Sequence, residues 1–88
     1  MAVFIVAYDL NKEVRRPPIV AEVKKGNWAR LSESSYAIST IESVDQVYAR
    51  FKPLLDDNDN LYVIPLRQPY RGWGPKDVHD WLGTHLPR

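Results

Sequence analysis

Asp9 is the residue whose type and position first suggest chemistry. It ends an apolar run, at the point where the chain would leave a buried strand. A carboxylate at such a position can bind a hard cation such as Mg²⁺, which prefers oxygen ligands. One carboxylate is too few for a dedicated site, so a metal there would also need a symmetry-related copy of Asp9, a substrate phosphate or water. The alternative is that Asp9 caps a turn and accepts hydrogen bonds from backbone N–H groups of the loop.

A basic region follows Asp9 directly. Residues 12–30 contain six Lys or Arg residues and two Glu, whereas residues 42–60 contain two cations and five acids. The charge is therefore segregated although the net charge is only +1. A basic region beside an acid is typical of proteins that bind or cleave phosphodiesters. We select four cations as candidate nucleic-acid contacts, namely Lys12, Arg15, Arg16 and Arg30. The alternative is an ordinary solvated surface.

The segment Asp56–Asn60 begins with the ligand spacing of a calcium loop. The sharp-turn glycine of such a loop is replaced by Leu61, and its bidentate glutamate by Arg67. Both departures remove features that calcium binding requires. The segment is therefore predicted to be a turn.

Zinc and thiol chemistry are not predicted. The chain contains no cysteine, which excludes disulfides, thiolate metal sites and cysteine nucleophiles. His79 and His85 are six residues apart, so a helix would not place both rings on one face.

An aromatic and basic segment, Arg67–Gly74, precedes the last predicted helix. Tyr70, Arg71 and Trp73 alternate aromatic rings with a cation, a composition that can stack on bases. Such residues also commonly pack an arm onto the protein body or a partner subunit, and we favour packing. The segment is predicted to be an arm or an additional edge strand.

The remaining pattern predicts an α+β domain. Apolar and β-branched runs predict strands at Ala2–Tyr8, Asn27–Leu31, Ser35–Ile41 and Leu61–Leu66. A short helix over 17–25 is expected between the first two strands, because Pro17 and Pro18 suit a first helical turn and Gly26 suits its end. A second helix begins after a capping box at Ser43 and Gln46 and carries apolar residues at helical spacing as far as Leu55.

The order of these elements is β-α-β-β-α-β, the ferredoxin-like arrangement, with an antiparallel sheet and two helices on one face. Pro75 begins a last helix, which Gly83 is expected to interrupt and which is expected to cover a sheet edge or reach a partner. The 88 residues are expected to form one domain over 1–88, with a core at about 2–68 and a C-terminal arm and helix over 69–88. No apolar run is long enough to span a membrane. We expect no membrane partner and a cytoplasmic location.

A homodimer is expected from two observations. A core of this size is marginal for an independent domain, and the strand Leu61–Leu66 offers an edge to a partner sheet.

Short motifs resemble a known superfamily over about residues 2–68. The first strand ends in Tyr8-Asp9, Arg15 and Arg16 precede the first helix, and Ser35-Tyr36 enters the third strand. The segment Asn58–Val63 resembles the acidic turn that opens the fourth strand of these proteins. These features resemble the ferredoxin-like superfamily that includes CRISPR-associated protein 2 and virulence-associated protein D. The C-terminal helix is most similar to that of uncharacterised bacterial and phage members.

The resemblance implies a function. In that superfamily the acid after the first strand, here Asp9, is implicated in divalent metal binding across a homodimer interface. Members include metal-dependent nucleases of RNA or DNA and non-catalytic DNA-holding adaptors. We therefore expect a nucleic-acid-associated homodimer in which Asp9 is the catalytic and metal-binding residue and Mg²⁺ is the cofactor. The alternative is a non-catalytic interaction module, such as a toxin–antitoxin-like or phage accessory protein.

Overall fold

The computed structural model describes residues 1–88 and contains four strands and three α-helices. The strands are β1 (Ala2–Asp9), β2 (Asn27–Ser32), β3 (Ser35–Thr40) and β4 (Asn60–Leu66). The helices are α1 (Arg16–Val23), α2 (Val44–Phe51) and α3 (Lys76–His85). Each predicted strand and helix is present, with ends that differ from the predicted ones by a few residues.

The strands form one antiparallel sheet in the order β2-β3-β1-β4. The apolar strand β1 is therefore central, with Val6 opposite Tyr36 of β3 and Val63 of β4. The order of elements and the antiparallel sheet confirm the predicted α+β, ferredoxin-like fold. Strand β4 is an edge strand. Pro65 has no N–H to donate, but no further strand lies beside β4 to need that hydrogen bond.

We call the side of the sheet that packs against α1 and α2 the helix face. Alternate residues of β1 point to it, and they meet the buried side chains of both helices. The buried cluster on this face consists of Phe4, Val6, Tyr8, Ile19, Val23, Tyr36, Ile38, Val47 and Phe51. The predicted capping box begins α2, since the Ser43 side chain accepts from the Gln46 N–H and the Gln46 side chain accepts from the Ser43 N–H. This cap fixes the direction in which α2 enters the core.

The opposite side of the sheet, which we call the open face, is covered in part by α3. Leu82 and Leu86 pack against Val3 of β1 and Ala37 of β3. The expectation that the last helix covers a sheet edge was wrong in part, because its apolar stripe packs on a sheet face that no other helix covers, although Trp81 also contacts Asn27 of the edge strand β2. The alternative expectation, that the helix reaches a partner, stays a prediction. The expected interruption at Gly83 was also wrong, since α3 continues to His85.

Residues 67–75, which we call the arm, connect β4 to α3 without forming a strand. The arm is held near its start, where the Gln68 N–H donates to the Pro87 carbonyl at 2.7 Å. The prediction of an additional edge strand was therefore wrong, and the alternative prediction of an arm is confirmed. None of the three helices is long and apolar enough to cross a lipid bilayer.

Candidate functional site

Asp9 is the last residue of β1 and pairs in register with Asn60, the first residue of the edge strand β4. It is exposed. Side chains alternate along a strand, so Asp9 belongs to the same row as Val3, Ile5 and Ala7 and lies at the end of the open face. Its carboxylate has no hydrogen bond or ion pair within the chain and is therefore free to contact a ligand.

The acids that follow in the neighbouring loop are used differently. Asp59 accepts hydrogen bonds from the backbone N–H groups of Asn11 at 2.7 Å and Asp56 at 2.9 Å. These two donors hold the pKa of Asp59 below its ordinary value. Asp56 accepts from the Asn58 N–H at 2.8 Å, as in an Asx turn. This loop is a hydrogen-bonded turn, as the sequence predicted, and Asp59 ties it to the chain leaving β1.

Arg15 is directed towards this same turn. Its Nε lies 3.3 Å from Asp56 Oδ2, close enough for an ion pair although not aligned for a hydrogen bond. Its Nη1 donates to the Leu54 carbonyl at 3.4 Å. The charge of Arg15 is therefore partly neutralised within the chain.

Arg16 is the most extensively bonded of the four candidate cations. It forms an ion pair with Glu13 at 2.7 Å, donates to the Glu33 carbonyl, and lies over the Tyr8 ring with its guanidinium carbon 5.5 Å from the ring centre. The hydrogen bond with Glu13 raises the pKa of Arg16. Burial and the neighbouring Tyr36 raise the pKa of Tyr8. These contacts indicate that Arg16 helps to join α1 to the β2–β3 turn.

Lys12 and Arg30 have charges that remain more available. Lys12 is exposed and has no ion pair, and Arg30 is exposed with one long hydrogen bond, 3.4 Å, to the Ser32 carbonyl. Arg30 borders a small depression together with Arg16, Glu13 and Glu33, in which the two signs of charge are balanced. The four candidates therefore differ in what they offer to a phosphate, a distinction that residue type alone did not reveal.

Metal binding at Asp9 is limited by the number of ligands. The chain has no group of three His, Cys, Asp or Glu side chains that could hold an ion together. Mg²⁺ commonly binds through one or two carboxylates and keeps several waters. A free and exposed Asp9 carboxylate fits this mode of binding when a second copy, a phosphate or water completes the coordination.

Comparison with known proteins bears on this arrangement. No model of a protein family matches the chain. The chain is 31% identical, over 67 residues, to the CRISPR-associated endoribonuclease Cas2 of Thermofilum pendens. The matched region covers 75% of this chain and 72% of that relative. This supports the CRISPR-associated part of the predicted resemblance, and the part that concerns virulence-associated protein D stays a prediction. An identity of this level over most of both chains, together with the ferredoxin-like fold, shows that the chain belongs to the family of CRISPR-associated protein 2.

Proposed function

We propose that this chain is a metal-dependent nuclease that acts as a homodimer with one Asp9 from each copy. The observation that carries the proposal is the free, exposed carboxylate of Asp9 at the end of the central strand. The similarity to an endoribonuclease supports the same reaction class. RNA is the first substrate to test, and DNA is the second.

The dimer supplies the ligand that one chain lacks. Strand β4 has an unpaired edge, and two of its apolar side chains are unusually exposed, Tyr62 at 64% and Ile64 at 51%. Unpaired edges and exposed apolar side chains favour association. Asp9 lies one strand in from this edge, so a two-fold axis that passes beside Asp9 itself, at the end of the open face, would bring both Asp9 carboxylates together.

The two carboxylates would hold Mg²⁺, which supplies electrostatic stabilisation of the charge that develops on the scissile phosphate. Lys12, which has no partner within the chain, is the best-placed of the selected cations to bind substrate phosphate, and Arg30 is the next. Arg15 and Arg16 support the loops that surround Asp9 and contribute residual positive charge.

The test is cleavage of single-stranded RNA and duplex DNA by wild-type protein, Asp9→Asn and Asp57→Asn, with Mg²⁺ and with EDTA. Asp9→Asn keeps the side-chain shape but removes the charge, so cleavage should fall by on the order of a hundredfold or more. Asp57 is another exposed acid at this end of the sheet without a side-chain partner, and Asp57→Asn should cleave as wild type does. EDTA should stop cleavage by wild-type protein.

Two outcomes would contradict the proposal. Unchanged cleavage by Asp9→Asn would remove the metal site. The absence of cleavage with either Mg²⁺ or Mn²⁺ would favour the alternative function, a non-catalytic interaction module. A chain with only one carboxylate at this position is compatible with that alternative. Sedimentation at micromolar concentration should give about twice 10.2 kDa, and a monomer would exclude the paired site.

A further inference from the structure

A groove lies on the open face between the sheet, the arm and α3. It has a volume of about 330 Å³, near the lower end of the range for small-molecule sites. Its apolar walls include Ile5 of β1, Leu31 of β2, and Val78 and Leu82 of α3. This size and lining suit one flat ring with its substituents rather than an extended ligand.

The two aromatic residues of the arm have different environments at this groove. The Tyr70 hydroxyl lies 2.9 Å from His79 Nδ1, and the two rings are stacked with their centres 6.0 Å apart. Tyr70 therefore anchors the arm to α3. Trp73 also borders the groove but is fully exposed, at 102%. The predicted packing onto the protein body is confirmed for Tyr70 and wrong for Trp73, whereas packing of Trp73 on a partner subunit stays a prediction.

An exposed indole beside a groove is suited to stacking on a base, because every base has a flat π-face. The other two tryptophans are occupied. Trp28 packs edge-on to Tyr36, and the Trp81 N–H donates to Asn27 Oδ1 at 3.0 Å. Trp73 is thus the tryptophan that remains available to a ligand.

The charge around the groove has one sign. Arg30, Arg67 and Arg71 line it, and no Asp or Glu does. Arg71 has no ion pair or hydrogen bond within the chain, and Arg67 has one long bond, 3.5 Å, to the Arg88 carbonyl. On α3 the acid Asp80 is paired with Lys76 at 2.8 Å. The groove therefore combines apolar walls, a free indole and unneutralised guanidinium groups.

We propose that this groove binds a base of single-stranded nucleic acid, with Trp73 stacked on the base and Arg71 contacting the adjacent phosphate. The nucleic-acid partner rests on the proposed function, but the groove is separate from Asp9. Ile5 lies four residues before Asp9 in the same row of β1, which corresponds to about 13 Å along a strand. The groove and Asp9 are therefore far enough apart to be tested separately.

The positive charge favours nucleic acid over a second copy of the chain as the occupant. In a two-fold interface the same patch meets itself. Such an interface would contain Arg30, Arg67 and Arg71 from both copies and no acid from the groove, and like charges at an interface oppose association. A phosphate backbone instead complements all three.

The experiment measures the binding of single-stranded oligothymidylate and oligouridylate in EDTA, which prevents metal-dependent cleavage, by quenching of tryptophan fluorescence and by an independent anisotropy measurement. Trp73→Ala should bind about tenfold or more weakly and lose most of the quenching, since base stacking contributes this much per base. Arg71→Ala should lower the salt dependence of binding by about one counterion. Tyr48→Ala is the control. It removes a half-exposed aromatic residue of α2, on the opposite side of the sheet from the groove, and should bind as wild type does.

The outcomes separate the groove from the Asp9 site. Equal affinity of Trp73→Ala and wild-type protein would overturn the groove proposal. Conversion of a dimer to a monomer by Trp73→Ala would also overturn it, by assigning the groove to a second copy. In EDTA no metal-dependent cleavage occurs, so the affinity reports on the groove and not on the metal site. Binding that depends on Trp73 without any cleavage would therefore contradict the proposed function alone.

Discussion

The two faces of the sheet differ in how completely they are covered. On the helix face α1 and α2 exclude water from a continuous cluster, in which Val6, Ile19, Val47 and Phe51 are all 0% exposed. The open face has only α3, and its buried cluster contains four residues. Asp9 and the groove both belong to the open face. The comparison indicates that the helix face supplies most of the stability, whereas the open face presents groups to ligands.

The polar contacts of the two faces differ as well. Charged groups connect the helices of the helix face, where Arg50 of α2 contacts Glu22 of α1 and Glu42, each within 2.9 Å. A chain of side-chain hydrogen bonds without a carboxylate attaches α3, in which Asn27 of β2 joins Trp81 and His85 through hydrogen bonds of 3.0 and 2.8 Å. Acid should therefore affect the helix face through its carboxylates.

The largest expected effect on stability is at the centre of the helix face. Phe51→Ala removes a fully buried ring from the contact between α2 and the sheet, and should lower the free energy of unfolding by about 4 kcal/mol. Urea denaturation followed by far-ultraviolet circular dichroism measures this. A loss below about 1 kcal/mol would contradict the view that this face supplies the main stability.

A smaller effect is expected on the open face. Leu82→Ala removes the α3 side chain that packs on Val3 and Ala37. Leu82 also borders the groove, so neighbouring groups can adjust. The expected loss is about 2 kcal/mol, at the low end for buried leucines. A loss equal to that of Phe51→Ala would show that both faces are equally important for stability.

Sequence patterns predicted the fold better than the site, for physical reasons. The apolar run of β1 and the capping box of Ser43 and Gln46 are local signals, and local periodicity determines the type and direction of an element. The spacing of apolar residues in α3 showed which side of the helix is apolar, but not which surface of the sheet that side packs against. The groove could not be predicted, since it combines residues from β1, β2, the arm and α3 that are far apart in sequence.

The same limit applies to the charged residues. Arg15 and Arg16 belong to an obvious basic segment, but their partners Asp56 and the Glu33 carbonyl are distant in sequence. Asp9 was identified because the end of an apolar strand is visible in sequence. The sequence does not show whether the Asp9 carboxylate has a partner, because the nearby groups that could bind it belong to loops that are distant in sequence.

The smallest expected effect concerns Glu22, the acid between α1 and α2. Glu22 accepts from Arg50 at 2.8 Å and from Lys25 at 2.9 Å. Burial alone would raise the pKa of Glu22, but these hydrogen bonds outweigh it and lower the pKa below its ordinary value. A lowered folded-state pKa means that the ion pairs stabilise the protein above the unfolded pKa, near 4.5, and that this stabilisation is lost as the pH falls through the folded value.

Glu22→Gln tests whether these carboxylate contacts make the helix face sensitive to acid. It should cost about 1 kcal/mol at pH 7, since Arg50 keeps Glu42 as a partner. The difference in the free energy of unfolding between wild type and Glu22→Gln should shrink as the pH falls from about 5 towards 3. Protonation of Glu22 in wild type then removes the same negative charge that the substitution has already removed. Asp80→Asn is the matched control, as its exposed pair with Lys76 is screened by water and should contribute little to stability. Urea denaturation at each pH measures the free energy of unfolding of both proteins. A difference that stays constant across this pH range would show that Glu22 does not cause acid sensitivity.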